Sequence, residues 1–240
     1  MTYCVGLLLN DGMVLLSDTR TNAGLDNIST YRKMFHFQDP GERVITLMTA
    51  GSLSVTQTTI ARLREAIEHP EATAETSILL APSMLKVAEI VGNMLAVVRA
   101  EIDHKLSAMQ GASASMILAG QCKGGAMRLF LIYPEGNFIE ATEDTPFLQI
   151  GEHKYGKPIL DRMVRPATSL ADAQKAVLLS MDSTLRSNLS VGMPLDLCVI
   201  ERDACRVSFT RRIEPGDSQF RAMSDAWSRA LREGFASISL

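Results

Sequence analysis

Thr2 follows the opening methionine, and a hydroxyl that shares a residue with a free α-amine is a nucleophile carrying its own proton acceptor. Methionine is generally trimmed before a small residue, so loss of Met1 alone would liberate that amine, with no propeptide or dedicated protease needed. An α-amine has a reference pKa of about 7.7 to 8.0, which leaves a substantial neutral fraction near working pH and suits it to general-base duty. The run from Asp11-Gly12 through Ser17-Asp18-Thr19-Arg20-Thr21 to Arg32-Lys33 supplies an acid and a base at separated positions, Asp18 and Lys33 among them. A Lys33 ammonium within about 4 Å would disfavour the protonated amine and favour alkoxide character, by roughly 4 kcal/mol at an effective dielectric of about 20, before desolvation. Asp18 would keep that ammonium charged and aimed. On the surface the same pair would be a salt bridge worth only about 0 to 1 kcal/mol.

The elements must bring these residues together. Residues 2–9 read as a strand, Asn10-Asp11-Gly12 as a tight turn and 13–17 as the returning strand, which carries Asp18 back beside Thr2. Residues 22–29, with Gly24 and small polar neighbours, read as a loop. Strands follow at 33–37 and 44–50 about the Asp39-Pro40-Gly41 turn. Beyond Gly51 the period changes: Ile60, Leu63 and Ile67 recur at helical spacing as far as His69-Pro70, and a longer helix over 82–109 carries Leu85, Val87, Val91, Leu95 and Val98. Strands return at 114–121, 127–133 and 138–140, helices at 154–164 and 170–189, a hairpin at 195–201 and 205–213, and an amphipathic helix at 218–235. Pairs of helices between antiparallel hairpins suit an α+β chain of two sheets packed face to face with helices outside. No linker is visible, so residues 1–240 read as one domain.

Composition narrows the chemistry. With 240 residues, 46% hydrophobic, 21% charged and a formal net charge of -3, the chain has material for a large core and no basic field, so nucleic acid and anionic membrane are poor partners. A basic segment followed by an apolar core is missing, as is any run of roughly 18 apolar residues, which points to a cytoplasmic protein. Cys4, Cys122, Cys198 and Cys205 form no C-x-x-C pair and read as reduced thiols. Glu65 and His69 make the one ligand-like pair, which leaves a four-coordinate metal site half-filled, so no metal or other cofactor is expected. Neither a P-loop nor a Rossmann fingerprint occurs, and any ATP-dependent step would need a separate partner. Gly111-Ala112-Ser113-Ala114-Ser115 lacks the last glycine of a nucleophile elbow, which disfavours an internal serine nucleophile.

In order and spacing, Thr2, Gly12, Asp18 with Arg20-Thr21, Lys33 and Ala50-Gly51 before a helix resemble proteasome β-type subunits and their HslV-like bacterial relatives; so do Asp182 and Gly192-Met193-Pro194-Leu195-Asp196. The similarity spans nearly the whole chain. The segment from Ile150-Gly151-Glu152-His153 through Tyr155-Gly156-Lys157-Pro158 to Asp161 resembles more narrowly the Anbu group. This resemblance implies a four-layer αββα sandwich of the N-terminal nucleophile hydrolase class and a threonine peptidase or amidohydrolase that acts on peptides or proteins through an acyl-enzyme ester. It implies assembly into homo-oligomers, as stacked rings or an open spiral. The Gly51 NH, where a strand gives way to a helix, is the candidate oxyanion donor. By motif position, Asp182 would orient the Thr2 amine, and Arg20, Thr21, Tyr31, Thr49 and Leu53 would flank the pocket for the side chain before the scissile bond. Two positions depart from the family's pattern: Glu152 stands for its serine in the glycine-rich turn, and Leu185 for the serine after Asp182, with Ser183, Ser187 and Ser190 as alternative replacements. The departures motivate a second reading, a proteasome-fold module that assembles or binds without turnover.

Overall fold

In β1 (Tyr3–Leu9) and β2 (Gly12–Asp18) every residue but Leu8 is buried, so neither strand shows the polar alternation of a sheet with one wet face. The computed structural model describes residues 1–23, 27–106 and 112–239. β1 and β2 form the expected hairpin, with Cys4 opposite Ser17. β10 (Phe147–Gly151) pairs with the free edge of β1, β11 (Leu195–Glu201) with β2, and β12 (Phe209–Ile213) with β11, giving an antiparallel sheet in the order β10-β1-β2-β11-β12. The second sheet, also antiparallel, runs β5 (Met34–Asp39), β6 (Arg43–Gly51), β7 (Ala114–Cys122), β8 (Arg128–Ile132) and β9 (Phe138–Glu140).

Side-chain alternation sends each strand's residues into two layers. Cys4, Met13, Leu15 and Cys198 meet Met48, Ile117 and Leu129 between the sheets. Val5, Leu7, Val14 and Leu16 face the other way, against Leu160 of α3 (Lys157–Met163) and Val177 and Met181 of α4 (Leu170–Ser187). On the far sheet Ile45, Leu47, Leu118 and Phe130 pack against Ile60 and Leu63 of α1 (Leu53–Glu68) and Val87, Val91 and Val98 of α2 (Met84–Leu106). Helices, sheet, sheet, helices is the αββα order expected. Each fully buried Leu, Ile or Val in these layers contributes about 1.5 to 3 kcal/mol of transfer free energy. Outside them lies α5 (Ser218–Ala236), capped by Asp217 accepting from the Phe220 NH at 2.9 Å, with Ser224 its one buried residue. Among the described residues, no helix is long and apolar enough to cross a membrane.

The expected loop at 22–29 is instead a hairpin of β3 (Arg20–Ala23) and β4 (Asn27–Thr30), in which Thr21 lies opposite Ser29. Main-chain pairing joins the two strands. Gly24 lies outside the described residues, as does 109, the expected end of the second helix. The sequence pattern assigns no element at β10, whose three large apolar residues, Phe147, Leu148 and Ile150, are too few to tell strand from helix. α3 starts at Lys157 rather than 154, with Gly156 at its cap and Pro158 in the first turn, where no NH is needed. β12 starts at Phe209 rather than 205, because Asp203 and Cys205 take the left-handed conformation, with φ of 62° and 46°, and turn the chain first.

Candidate active site

The ends of four strands meet through hydrogen bonds among Thr2, just before β1, Asp18, which closes β2, Lys33, which precedes β5, and Gly192, in the loop before β11. Gly51 closes β6. Lys33 is tied to β6 because its carbonyl accepts from the Thr49 NH at 3.0 Å. Thr2, Lys33 and Asp18 are 8%, 5% and 0% exposed, so the pair that might have been a surface salt bridge is buried.

The Lys33 ammonium spends all three of its donors within the site. It donates to Thr2 Oγ1 at 2.7 Å, to Asp18 Oδ1 at 2.7 Å and to the Arg20 carbonyl at 2.6 Å. Asp18 Oδ1 also accepts from the Tyr3 NH at 3.1 Å, and Oδ2 from the Gly192 NH at 3.2 Å. Burial pushes the Asp18 carboxyl above its ordinary range, while the Lys33 charge and the two backbone NH groups pull it back. Nearby, burial raises the Cys4 thiol, which donates to the Thr49 carbonyl at 3.7 Å and stays a protonated core group.

The main chain around Thr2 is closely held. Its carbonyl accepts from the Glu152 NH at 2.7 Å, and a Cβ on Gly151, where φ is 81°, would fall 1.9 Å from that oxygen. Glu152 therefore contributes its backbone NH to holding Thr2. Gly51 has φ of 105°, and a Cβ there would lie 2.3 Å from the Ser113 carbonyl. The glycine lets β6 turn directly into α1 with the next NH, that of Ser52, bonded to the same carbonyl at 2.8 Å.

Other expected site residues divide. Arg20 donates through Nη1 to the Leu189 carbonyl at 2.9 Å, and its guanidinium lies so close over Gly192 that a Cβ there would come within 2.1 Å of Nε. Arg20 thus clamps the loop that carries Gly192 to Asp18. Thr49 is buried, Leu53 half-buried at the first turn of α1, Thr21 half-buried in β3, and Tyr31 is exposed with its NH on the Thr19 carbonyl at 2.8 Å. Asp182 is not joined to Thr2. Its Oδ2 accepts from Arg186 Nε at 3.1 Å and its Oδ1 from Ser224 Oγ at 2.8 Å, so the carboxylate holds α5 on α4. Leu185 packs into the apolar layer beneath α4, and Ser183, Ser187 and Ser190 make no side-chain hydrogen bond among the described residues. A groove of about 720 Å³ between α1 and α2 contains Glu65 and His69 and none of the residues around Thr2.

Pattern reading missed Gly192 and Tyr3 as parts of this site. Gly192 stood in a recognisable run, but its NH is what Asp18 uses, and a backbone donor leaves no mark in side-chain types.

The sequence model of the family described as proteasome subunit matches residues 2–200. Solved structures of Anbu are similar over essentially the full length. A Gly-1 mutant of Anbu from Hyphomicrobium sp. strain MC1 is 49% identical, covering 100% of this chain and 99% of that one, with a TM-score of 0.94. Anbu from Yersinia bercovieri, described as an ancestral β-subunit, is 42% identical over 99% and 98% of the two chains, with a TM-score of 0.92. The Anbu complex from Pseudomonas aeruginosa, described as a helical assembly, is 43% identical over 99% and 97%, with a TM-score of 0.92. No curated protein matches the chain.

Proposed function

The chain belongs to the proteasome subunit family, among its Anbu members, and from that premise we propose a hydrolase of peptide or related amide bonds whose nucleophile is Thr2 after loss of Met1. Its αββα sandwich is the N-terminal nucleophile hydrolase fold. The observation that carries the reading is the 2.7 Å bond from Lys33 to the Thr2 hydroxyl, made inside a buried ion pair with Asp18. An ammonium whose three donors are all bonded is a poor base and a good stabiliser of negative charge. That assigns proton acceptance to the α-amine and alkoxide stabilisation to Lys33.

In the proposed reaction Thr2 Oγ1 attacks the substrate carbonyl carbon as its proton passes to the α-amine. The carbonyl oxygen, now anionic, takes the Gly51 NH. Collapse forms a Thr2 ester and expels the leaving amine, which receives the proton. Water, deprotonated by the Thr2 α-amine, then hydrolyses the ester, and the proton returns to Thr2 Oγ1 to restore the hydroxyl. Asp18 keeps Lys33 charged, and Gly192 with Arg20 keeps Asp18 in place. Thr21, Tyr31 and Leu53 are assigned to flank the substrate's side chain, whereas Arg20 acts through the loop it clamps and Thr49 through Lys33. Asp182 is assigned to α5 rather than to the amine.

The same reading takes residues 1–240 as one proteasome-type domain, working inside a homo-oligomer; the helical assembly described for the Pseudomonas aeruginosa protein supports that. Four free thiols support a reducing, cytoplasmic setting. A second reading, a module that assembles without turnover, draws on the departures at Glu152 and Leu185 from the pattern of the resemblance. Steady-state cleavage of a fluorogenic peptide library decides between them. Turnover lost in Thr2→Ala supports the hydrolase, and equal signal from wild type and Thr2→Ala supports the module.

A further inference from the structure

Resting on the reading of Thr2 as nucleophile, we propose that Tyr3 is a positioning residue, whose hydroxyl on Ser180 of α4 and Gln149 of β10 fixes the chain's first strand residue and thereby holds the Thr2 hydroxyl on Lys33.

A nucleophile at a chain end faces a problem that an internal one does not, because terminal residues fray unless tied down. With Met1 gone, the main chain of Thr2 is held through its carbonyl on the Glu152 NH, and the next hold along the chain is Tyr3. Tyr3 grips in two directions. Its NH donates to Asp18 Oδ1 at 3.1 Å, on the charged side. Its side chain, 0% exposed, points into the opposite layer, where the hydroxyl lies 2.6 Å from Ser180 Oγ and accepts from Gln149 Nε2 at 2.6 Å. Gly156 closes the remaining side: a Cβ there would lie 2.2 Å from Ser180 Oγ and 2.7 Å from the Tyr3 hydroxyl.

Packing alone does not ask for this hydroxyl. The layer around it is Val5, Leu160, Val177 and Met181, which a phenylalanine ring would fill as well, and a buried phenol is acceptable only because its oxygen is satisfied. Burial also pushes the phenol up to about 12, with the Ser180 and Gln149 bonds working against that rise, so the group stays neutral. What the oxygen adds is a connection among β1, β10 and α4 one residue from the nucleophile. The ring faces away from the Thr2 side chain, since successive strand residues point to opposite faces, and so it does not touch substrate. Its influence is on geometry, and a displacement of about 1 Å at a reacting group costs about 100-fold.

The test is inactivation of the full chain, shown by intact mass to lack Met1, by a peptide epoxyketone, with thermal melts run alongside. In Tyr3→Phe the saturating first-order rate is expected to fall at least about tenfold while the half-saturating concentration stays within about twofold. Ser180→Ala, which leaves the Gln149 bond, should fall less, and Tyr3→Phe/Ser180→Ala no further than Tyr3→Phe, because the two act through one bond. A lowered melting temperature with an unchanged saturating rate in Tyr3→Phe would make the hydroxyl merely structural and overturn the proposal. Should Tyr3→Phe not fold, Ser180→Ala and Gln149→Ala decide by the same rate. A wild-type chain that takes no adduct overturns the reading of Thr2 itself, an outcome distinct from equal rates in wild type and variants.

Discussion

At the scale of single residues, the site depends on a charge pair kept out of water. Removing one member of a buried pair strands the other, so Lys33→Ala and Asp18→Ala should each lower stability by about 3 to 5 kcal/mol in urea melts. The double variant Asp18→Leu/Lys33→Met should recover much of that loss while remaining inactive. Recovery without activity would show that the pair is retained for chemistry and not for folding. The pH profile follows from the same residues. The α-amine works as the neutral base, so the inactivation rate should rise with pH through its pKa, and the Lys33 charge should set that midpoint below the reference of about 7.7 to 8.0. On the acid side Asp18 must be ionised to hold Lys33. Because burial raises its pKa, the rate should be lost as pH falls through a midpoint above the ordinary aspartate value of about 3.9. Stopped-time labelling between pH 4 and 9, read by intact mass, would measure both limbs, on the order of a pKa unit each in precision.

At the scale of elements, two glycines let strands end where the chemistry needs them. Gly51→Ala would put a methyl 2.3 Å from the Ser113 carbonyl in a backbone region that side chains rarely adopt, so β6 must shift and take its NH with it. The expected loss in turnover is about 100- to 1000-fold, that of a missing oxyanion donor. Gly151→Ala should displace the Thr2 carbonyl and cost about 100-fold in the saturating rate with Met1 still removed. How far such features were legible depends on range. The first hairpin was, since Asn10-Asp11-Gly12 between apolar runs fixes Asp18 beside Thr2 by local turn chemistry. Lys33 belongs to the other sheet, and its contact with Thr2 is tertiary; resemblance supplied it where spacing could not. Asp182 shows the limit of transfer by motif, because a helical aspartate has several possible faces, and Ser224, 42 residues on, decides which one is used. β10, which supplies Gly151 and Gln149 to the site, carried too short an apolar run to declare itself.

At the scale of the whole molecule, the two sheets present the site at one end of the sandwich and α5 lies outside the four layers, with Leu231, Phe235 and Ile238 exposed at 54%, 82% and 71%. An apolar edge of that kind is a liability in an isolated chain and suits one that works in company. Mass photometry should therefore find a multi-subunit particle, and a monodisperse 26.2 kDa species at micromolar concentration would contradict the proposed assembly. The account stands or falls on the chain's leading residue inside that particle. Intact-mass analysis before and after a peptide β-lactone or epoxyketone, with peptide mapping of the product, is the most direct measurement. The predicted result is a chain beginning at Thr2 that gains one adduct mapped to Thr2, with none in Lys33→Ala. A chain that cleaves peptides while retaining Met1, or that carries its adduct elsewhere, would contradict it.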